Sequence, residues 1–172
     1  MLDQLRPPVT YLPLAPNARF VGRTAELDAL ERKLFVERDC STIAVCGLRG
    51  VGKTQVVRRF AELMRQRHPD YSVLWVPAIS AEAIEQAYGD IARLLGISVR
   101  ADRTEDVKEL VRQHLSAETA SKWLVVVDNA DDASILDGNE GGDGLRRFLP
   151  ESRLGLTVFT TRDPDCPGGS WG

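Results

Sequence analysis

The chain has 172 residues, 43% of them hydrophobic and 27% charged, which is one domain's worth of chain with enough apolar content for a core. A net charge of -3 without a Lys/Arg block argues against nucleic acid or an anionic membrane as the main partner. No stretch has the apolar length of a membrane span, the N-terminus lacks the apolar core of a signal peptide, and a cytoplasmic protein is expected. Cys40, Cys46 and Cys166 are an odd number without metal-ligand spacing and read as reduced structural thiols. Cys40 and Cys46 flank one strand that holds them about 20 Å apart, too far for a bridge. His68 and His114 have no partners at ligand spacing, so no site in which protein side chains alone hold a metal is assigned.

Residues 1–19 carry Pro7, Pro8, Pro13 and Pro16 and read as an extended lead-in. A helix is predicted after Thr24 as N-cap, with Leu27, Leu30, Leu34 and Phe35 on one face. Thr42–Cys46 is a continuous apolar strand of the kind buried on both faces of a parallel sheet. The next helix shows Val56, Val57, Phe60, Ala61 and Met64 at helical spacing and ends at His68-Pro69. Its cluster Arg58, Arg59, Arg65 and Arg67 reads as a solvated face. A second strand follows at 73–76, then a helix capped by Ser80 and stopped at Gly96, then another starting at Thr104. Trp123 to Val127 is the third strand, residues 137–144 an acidic glycine loop, 145–149 a short helix, and 156–161 the fourth strand. Residues 164–172 show no periodicity and are predicted to be disordered. Strands alternating with helices imply a doubly wound, mainly parallel α/β sheet with its ligand at the carboxyl ends of the strands.

Chemistry enters where the first strand runs into Gly47-Leu48-Arg49-Gly50-Val51-Gly52-Lys53-Thr54, a G-x-x-x-x-G-K-T loop that opens a helix. This is the phosphate-binding pattern of P-loop NTPases. Backbone N–H groups crowd a β-phosphate, Lys53 neutralises β- and γ-oxygens, and the Thr54 hydroxyl is a ligand for Mg²⁺. The third strand ends in Asp128, an acid at the tip of an apolar strand, which is the second element such a site needs to hold Mg²⁺ directly or through water.

Four segments in order, Phe20-Val21-Gly22-Arg23, Gly47 through Gln55, Trp123 through Asp132 and Phe159-Thr160-Thr161-Arg162-Asp163, resemble the ordered motifs of NB-ARC domains. These are the nucleotide switches of NOD-like receptors and related signal-transduction ATPases of the STAND class, and the wording is nearest to fungal members carrying TPR repeats. The resemblance covers nearly the whole chain and assigns residues 20–163 to the nucleotide-binding domain. It implies ATP or ADP with Mg²⁺ as cofactors. Val21, Gly22 and Arg23 would clamp the adenine side, and Gly47 to Gln55 would hold the phosphates. Asp128 would serve the Mg²⁺, and Arg162 would touch a γ-phosphate and so distinguish ATP from ADP.

Two positions depart from the pattern. Arg49 stands where relatives usually have glycine, and Asn129 where many have a second acid that orients the attacking water. An amide positions water but cannot take its proton, so hydrolysis is expected to be slow or absent, with Asp131 or Asp132 as substitutes. Relatives continue with a fifth strand, a small helical domain and a winged helix, and the chain ends before them. The expected sheet therefore has four recognisable strands with the fifth missing. Thr42–Cys46 would then be an open edge that promotes self-association or pairing with a full-length relative, unless the lead-in around Val9–Leu14 covers it. Three functions stay open at this stage: the core of an ATP/ADP signalling switch, an active P-loop ATPase, and a non-catalytic interaction fragment.

Overall fold

The computed structural model describes residues 7–13, 15, 18–19, 22–38, 40–47, 52–99 and 106–163, and the backbone of 170–171. The strands are β1 (Thr10–Tyr11), β2 (Thr42–Cys46), β3 (Tyr71–Pro77), β4 (Lys122–Asp128), β5 (Gly155–Thr161) and β6 (Ser170–Trp171). The helices are α1 (Thr24–Glu31), α2 (Lys53–Arg67), α3 (Ala81–Leu94), α4 (Val107–Ser116) and α5 (Ala133–Asp137). A π-helical turn extends α1 over Arg32–Glu37, and a 3-10 turn spans Leu145–Phe148.

The sheet runs in the order β1-β3-β4-β5-β2-β6, and every pairing in it is parallel. Strand alternation sorts the side chains into two layers. Leu74, Val76, Trp123, Val125, Val127 and Phe159 face α3, α4 and α5, whereas Val73, Trp75, Leu124, Val126 and Val158 face α1 and α2. The four central strands coincide with the four apolar runs of the sequence because burial on both faces demands such runs. Two buried polar groups tie down the first layer. Trp123 Nε1 donates to the Leu115 carbonyl at 2.9 Å, and the Tyr88 hydroxyl donates to the Phe148 carbonyl at 3.1 Å.

Several sequence expectations need correction. The fifth strand is not missing and the tail is not wholly irregular, since Ser170–Trp171 pairs with Ala44 and Val45 and partly covers the outer edge of β2. The lead-in does not cover that edge. Thr10–Tyr11 lies at the opposite side of the sheet beside Val73 and Leu74. There Val9 N donates to Ser72 Oγ at 3.0 Å and the Tyr11 hydroxyl to Asp90 at 2.9 Å. Burial and that bond push the Tyr11 hydroxyl up to about 12. Proline is compatible with an edge strand, where one row of N–H groups needs no partner, and this accounts for the position.

Thr24 is the first residue of α1 and not its cap, a position held by Arg23 in the left-handed region at φ 55°. Ser80 caps α3 as expected, accepting from Ala83 N at 3.1 Å, and Gly96 follows with φ 69°. Thr104 lies outside the described residues, and Asp106 caps α4. Arg58 does not belong to a solvated face. It is 3% exposed and lies 2.8 Å from Glu62 one turn on, while Arg59 and Arg65 to Arg67 remain on the outer side of α2. Cys40 and Cys46 are not in a disulfide, and Cys166 lies outside the described residues. No helix among the described residues is long and apolar enough to cross a membrane.

At Gly155 the β5 backbone passes directly over the Trp123 indole, and a Cβ there would lie 2.0 Å from Cζ2. Because that indole is buried and pinned through Nε1, it cannot move aside without losing its bond. Gly155→Ala is therefore expected to destabilise the fold by about 1–3 kcal/mol through overpacking. Urea unfolding checks this, and an unchanged midpoint would show that the indole has room to shift.

Candidate functional site

The phosphate-loop pattern brackets the turn from β2 into α2. At its start, Gly47 N donates to the Thr161 carbonyl at 3.2 Å and prolongs the β2–β5 ladder by one rung. At its end, Gly52 sits at φ 78°, a conformation that glycine adopts without a Cβ clash, and α2 begins at Lys53. Leu48, Arg49, Gly50 and Val51 lie outside the described residues, as does Val21. The Lys53 ammonium donates back to the Gly47 carbonyl, so the lysine bridges the two ends of the loop. No acid stands in the first turn of α2, and the amino end of this 15-residue helix keeps its attraction for anions.

Asp128, at the carboxyl end of β4, is 5% exposed and needs hydrogen bonds to be tolerated there. It has two on one oxygen. Thr54 Oγ1 donates to Oδ1 at 2.8 Å and Thr160 Oγ1 donates to the same atom at 2.6 Å. Thr160, 1% exposed, in turn accepts from Asn129 N at 2.9 Å. The structure thus brings Thr54 and Asp128 together across 74 residues of chain. No sequence motif by itself singles out Thr160. Its position after Phe159, which pairs with Val127, puts it level with Asp128 and is the signal that could have found it. The acidic strand is near the loop strand but not beside it, since β5 lies between them.

A cleft of about 270 Å³ opens at this end of the sheet, lined by Gly52 to Gln55, Asn129, Asp131, Thr160 and Arg162. Asn129 has φ 58°, in the left-handed region that Asn and Asp enter more readily than other non-glycine residues. Of the two downstream acids, Asp131 faces the cleft, whereas Asp132 caps α5 by accepting from Ser134 N at 2.9 Å. The Ser134 hydroxyl and that cap bond hold the Asp132 carboxyl below the usual range. Arg162 lies at the rim with Asp131, its Nε 3.1 Å from Asp131 Oδ2. Gly22 has φ 91°, and the guanidinium of the next residue, Arg23, lies near Gly52. A Cβ on Gly52 would be 3.6 Å from Arg23 Nη2.

The donor set fits a hydrated hard cation. One carboxylate and one hydroxyl oxygen are already in contact, and among the described residues no group of three or more His, Cys, Asp or Glu side chains offers an all-protein cage. A cationic ammonium, a helix amino end and an arginine at the rim are groups that attract an anion.

Comparison with known proteins agrees with this architecture. The AAA domain profile matches residues 36–162, and the chain belongs to that family. It is an AAA-type P-loop NTPase nucleotide-binding domain. The chain is 37% identical over 163 residues to a nucleotide-binding leucine-rich repeat (NLR)-like protein of Hyaloscypha variabilis, which bears out the NB-ARC resemblance. The match covers 88% of this chain and 16% of that protein's length. Among solved structures, Cdc6p of Pyrobaculum aerophilum superposes with a TM-score of 0.58 at 19% identity, over 88% of this chain and 41% of that one. ORC2 of Aeropyrum pernix, in its ADPNP–ADP complexes, gives 0.52 at 19% identity over 86% and 44%. Drosophila ORC bound to DNA gives 0.55 at 22% identity over 83% and 37%. At these identities the likeness speaks for the fold alone.

Thr160→Val keeps the shape of the side chain but leaves Asn129 N–H unpaired and Asp128 one donor short. A loss of about 1–3 kcal/mol of stability is expected, largely restored by Thr160→Ser. Chemical unfolding of both variants decides it, and a Val variant as stable as the parent would show that water replaces the hydroxyl at no cost.

Proposed function

We propose that this domain binds an adenine nucleotide, ATP or ADP with Mg²⁺, as the nucleotide-binding core of an NB-ARC-type signalling switch, with slow or no hydrolysis. The observation that carries the reading is the contact between Thr54 and Asp128 at the amino end of α2, beside Lys53 and opposite Arg162. Gly47 to Gln55 are assigned to the phosphates, with Lys53 as the main cationic partner. Thr54 and Asp128 are assigned to the Mg²⁺, which when bound neutralises phosphate oxygens. Val21, Gly22 and Arg23 are assigned to the adenine side, and the proximity of Arg23 to Gly52 supports that placement.

Arg162 is assigned to the γ-phosphate, the group that separates ATP from ADP. Asn129 lines the cleft and is assigned to the attacking water, which it can orient but not deprotonate. Asp131 already accepts three hydrogen bonds from Thr161 and Arg162, which supports low turnover. The chain spans 16% of the NLR-like relative's length, and triggers, effectors and self-association are not assigned to it.

Lys53→Ala should weaken ATP binding at least tenfold, since hydrogen bonds to charged groups contribute about 1.5–3 kcal/mol each. Calorimetry with unchanged affinity would overturn the phosphate site, and GTP competing as well as ADP would overturn the adenine assignment. Asp128→Asn should reduce Mg²⁺-dependent ATP binding more than Mg²⁺-free ADP binding, and equal losses would make Asp128 a structural residue only. Phosphate release from the purified domain at about 1 s⁻¹ or faster, the range of ordinary enzymes, would replace the switch reading with an active ATPase.

A further inference from the structure

Asp131 and Arg162, which both line the cleft, are joined through the Arg162 backbone N–H and through their charged side chains. Asp131 Oδ1 accepts the Arg162 backbone N–H at 2.6 Å and the Thr161 hydroxyl at 3.3 Å, while Oδ2 accepts Arg162 Nε at 3.1 Å. The Arg162 side chain is otherwise half exposed, at 49%, and that of Asp131 is 24% exposed. An isolated ion pair this open to solvent adds little stability. Its effect is geometric. With the backbone N–H and Nε both engaged, the carboxylate fixes where the arginine leaves β5 and how its guanidinium plane lies. The Nη groups keep donors that this contact does not use.

We infer that Asp131 is a positioning residue for nucleotide discrimination: it holds the Arg162 guanidinium at the rim of the cleft so that its Nη donors meet the terminal phosphate of a nucleoside triphosphate. The inference rests on the assignment of Arg162 to the γ-phosphate. It also takes Asp131 out of the role of general base, because its lone pairs are directed at Arg162 and Thr161. An arginine without this tether samples many rotamers in solvent and must be ordered each time a triphosphate binds, a cost that a diphosphate, lacking the contact, does not incur. Asp131 therefore acts on the ratio of ATP to ADP affinity, through Arg162 alone.

The test is a double-mutant cycle on the full chain, reading ATP and ADP affinity by calorimetry. Asp131→Asn retains an acceptor for the backbone N–H while removing the charge that holds Nε. It is expected to lower the ATP:ADP affinity ratio about three- to tenfold, the scale of ordering one long side chain. Arg162→Ala is expected to lower the ratio further, and the double variant to match Arg162→Ala. If Arg162→Ala leaves the ratio unchanged, the γ-phosphate assignment fails, and the inference with it. If Arg162→Ala lowers the ratio but Asp131→Asn leaves or raises it, the inference alone is overturned. Loss of phosphate release in Asp131→Asn at an unchanged ratio would also overturn it, by showing that Asp131 acts on water. Should the Asn variant not fold, amide-type exchange of the Arg162 Nε–H in the parent protein decides. Slowed exchange supports the tether, and exchange at the solvent rate overturns it.

Discussion

One carboxylate oxygen joins three elements. Asp128 Oδ1 at the end of β4 receives a hydroxyl hydrogen bond from Thr54 in the first turn of α2 and another from Thr160 on β5. Hydrogen bonds of this kind tolerate only small changes in length and direction, so the amino end of α2 cannot drift from the strand tips. A buried carboxylate left unsatisfied is costly, which makes the arrangement close to obligatory once Asp128 is folded in. The two described ends of the phosphate loop inherit that rigidity. Gly47 is tied to Thr161, one residue beyond Thr160, and Gly52 precedes the helix that carries Thr54.

Sheet order determines why these groups meet at all. β5 lies between β4 and β2, so its carboxyl end presents Thr160 to Asp128, Thr161 to the start of the phosphate loop, and Arg162 to the cleft. Three successive residues thus serve three different contacts. Thr161 does so through its backbone carbonyl, in the plane of the sheet, so only Thr160 and Arg162, two residues apart, use their side chains. The same logic holds for β4. After Asp128 the backbone turns through Asn129 in the left-handed region, its Ala130 N–H returns to the Thr160 carbonyl, and Asp131 is carried over to Arg162. A residue at position 129 that resisted positive φ would disturb this return, a demand that Asn meets and that Asp would meet equally.

The edges of the sheet behave differently from its centre. Each is finished by a strand of two residues, β1 beside β3 and β6 beside β2. Short edge strands limit the row of open backbone groups that invites pairing with another chain. At the β3 edge the lead-in is also held by side chains, through Ser72 and Asp90. The prolines that made residues 1–19 read as an extended lead-in are compatible with the edge position of Thr10–Tyr11, because an edge strand does not need all of its N–H groups.

The sequence by itself determined the class of fold, the four central strands, the helix that opens at Lys53, and the candidate chemistry of Lys53, Thr54 and Asp128. All of these follow from local pattern: unbroken β-branched runs, helical spacing, and glycines where the backbone must turn. The tertiary structure alone decided that Thr160 supports Asp128, that Asp131 and not Asp132 faces the cleft, that Arg23 reaches Gly52, and that residues 10–11 and 170–171 are strands. Each of these is a long-range pairing or a choice of direction at a strand end. Thr160 and Asp128 are 32 residues apart, and Asp128 and Thr54 are 74 apart. Periodicity carries no information at such separations, because which residues meet depends on the order and register of strands in the sheet. Asp131 and Asp132 are chemically identical neighbours, and only the start of α5, where one of them is used as a cap, tells them apart.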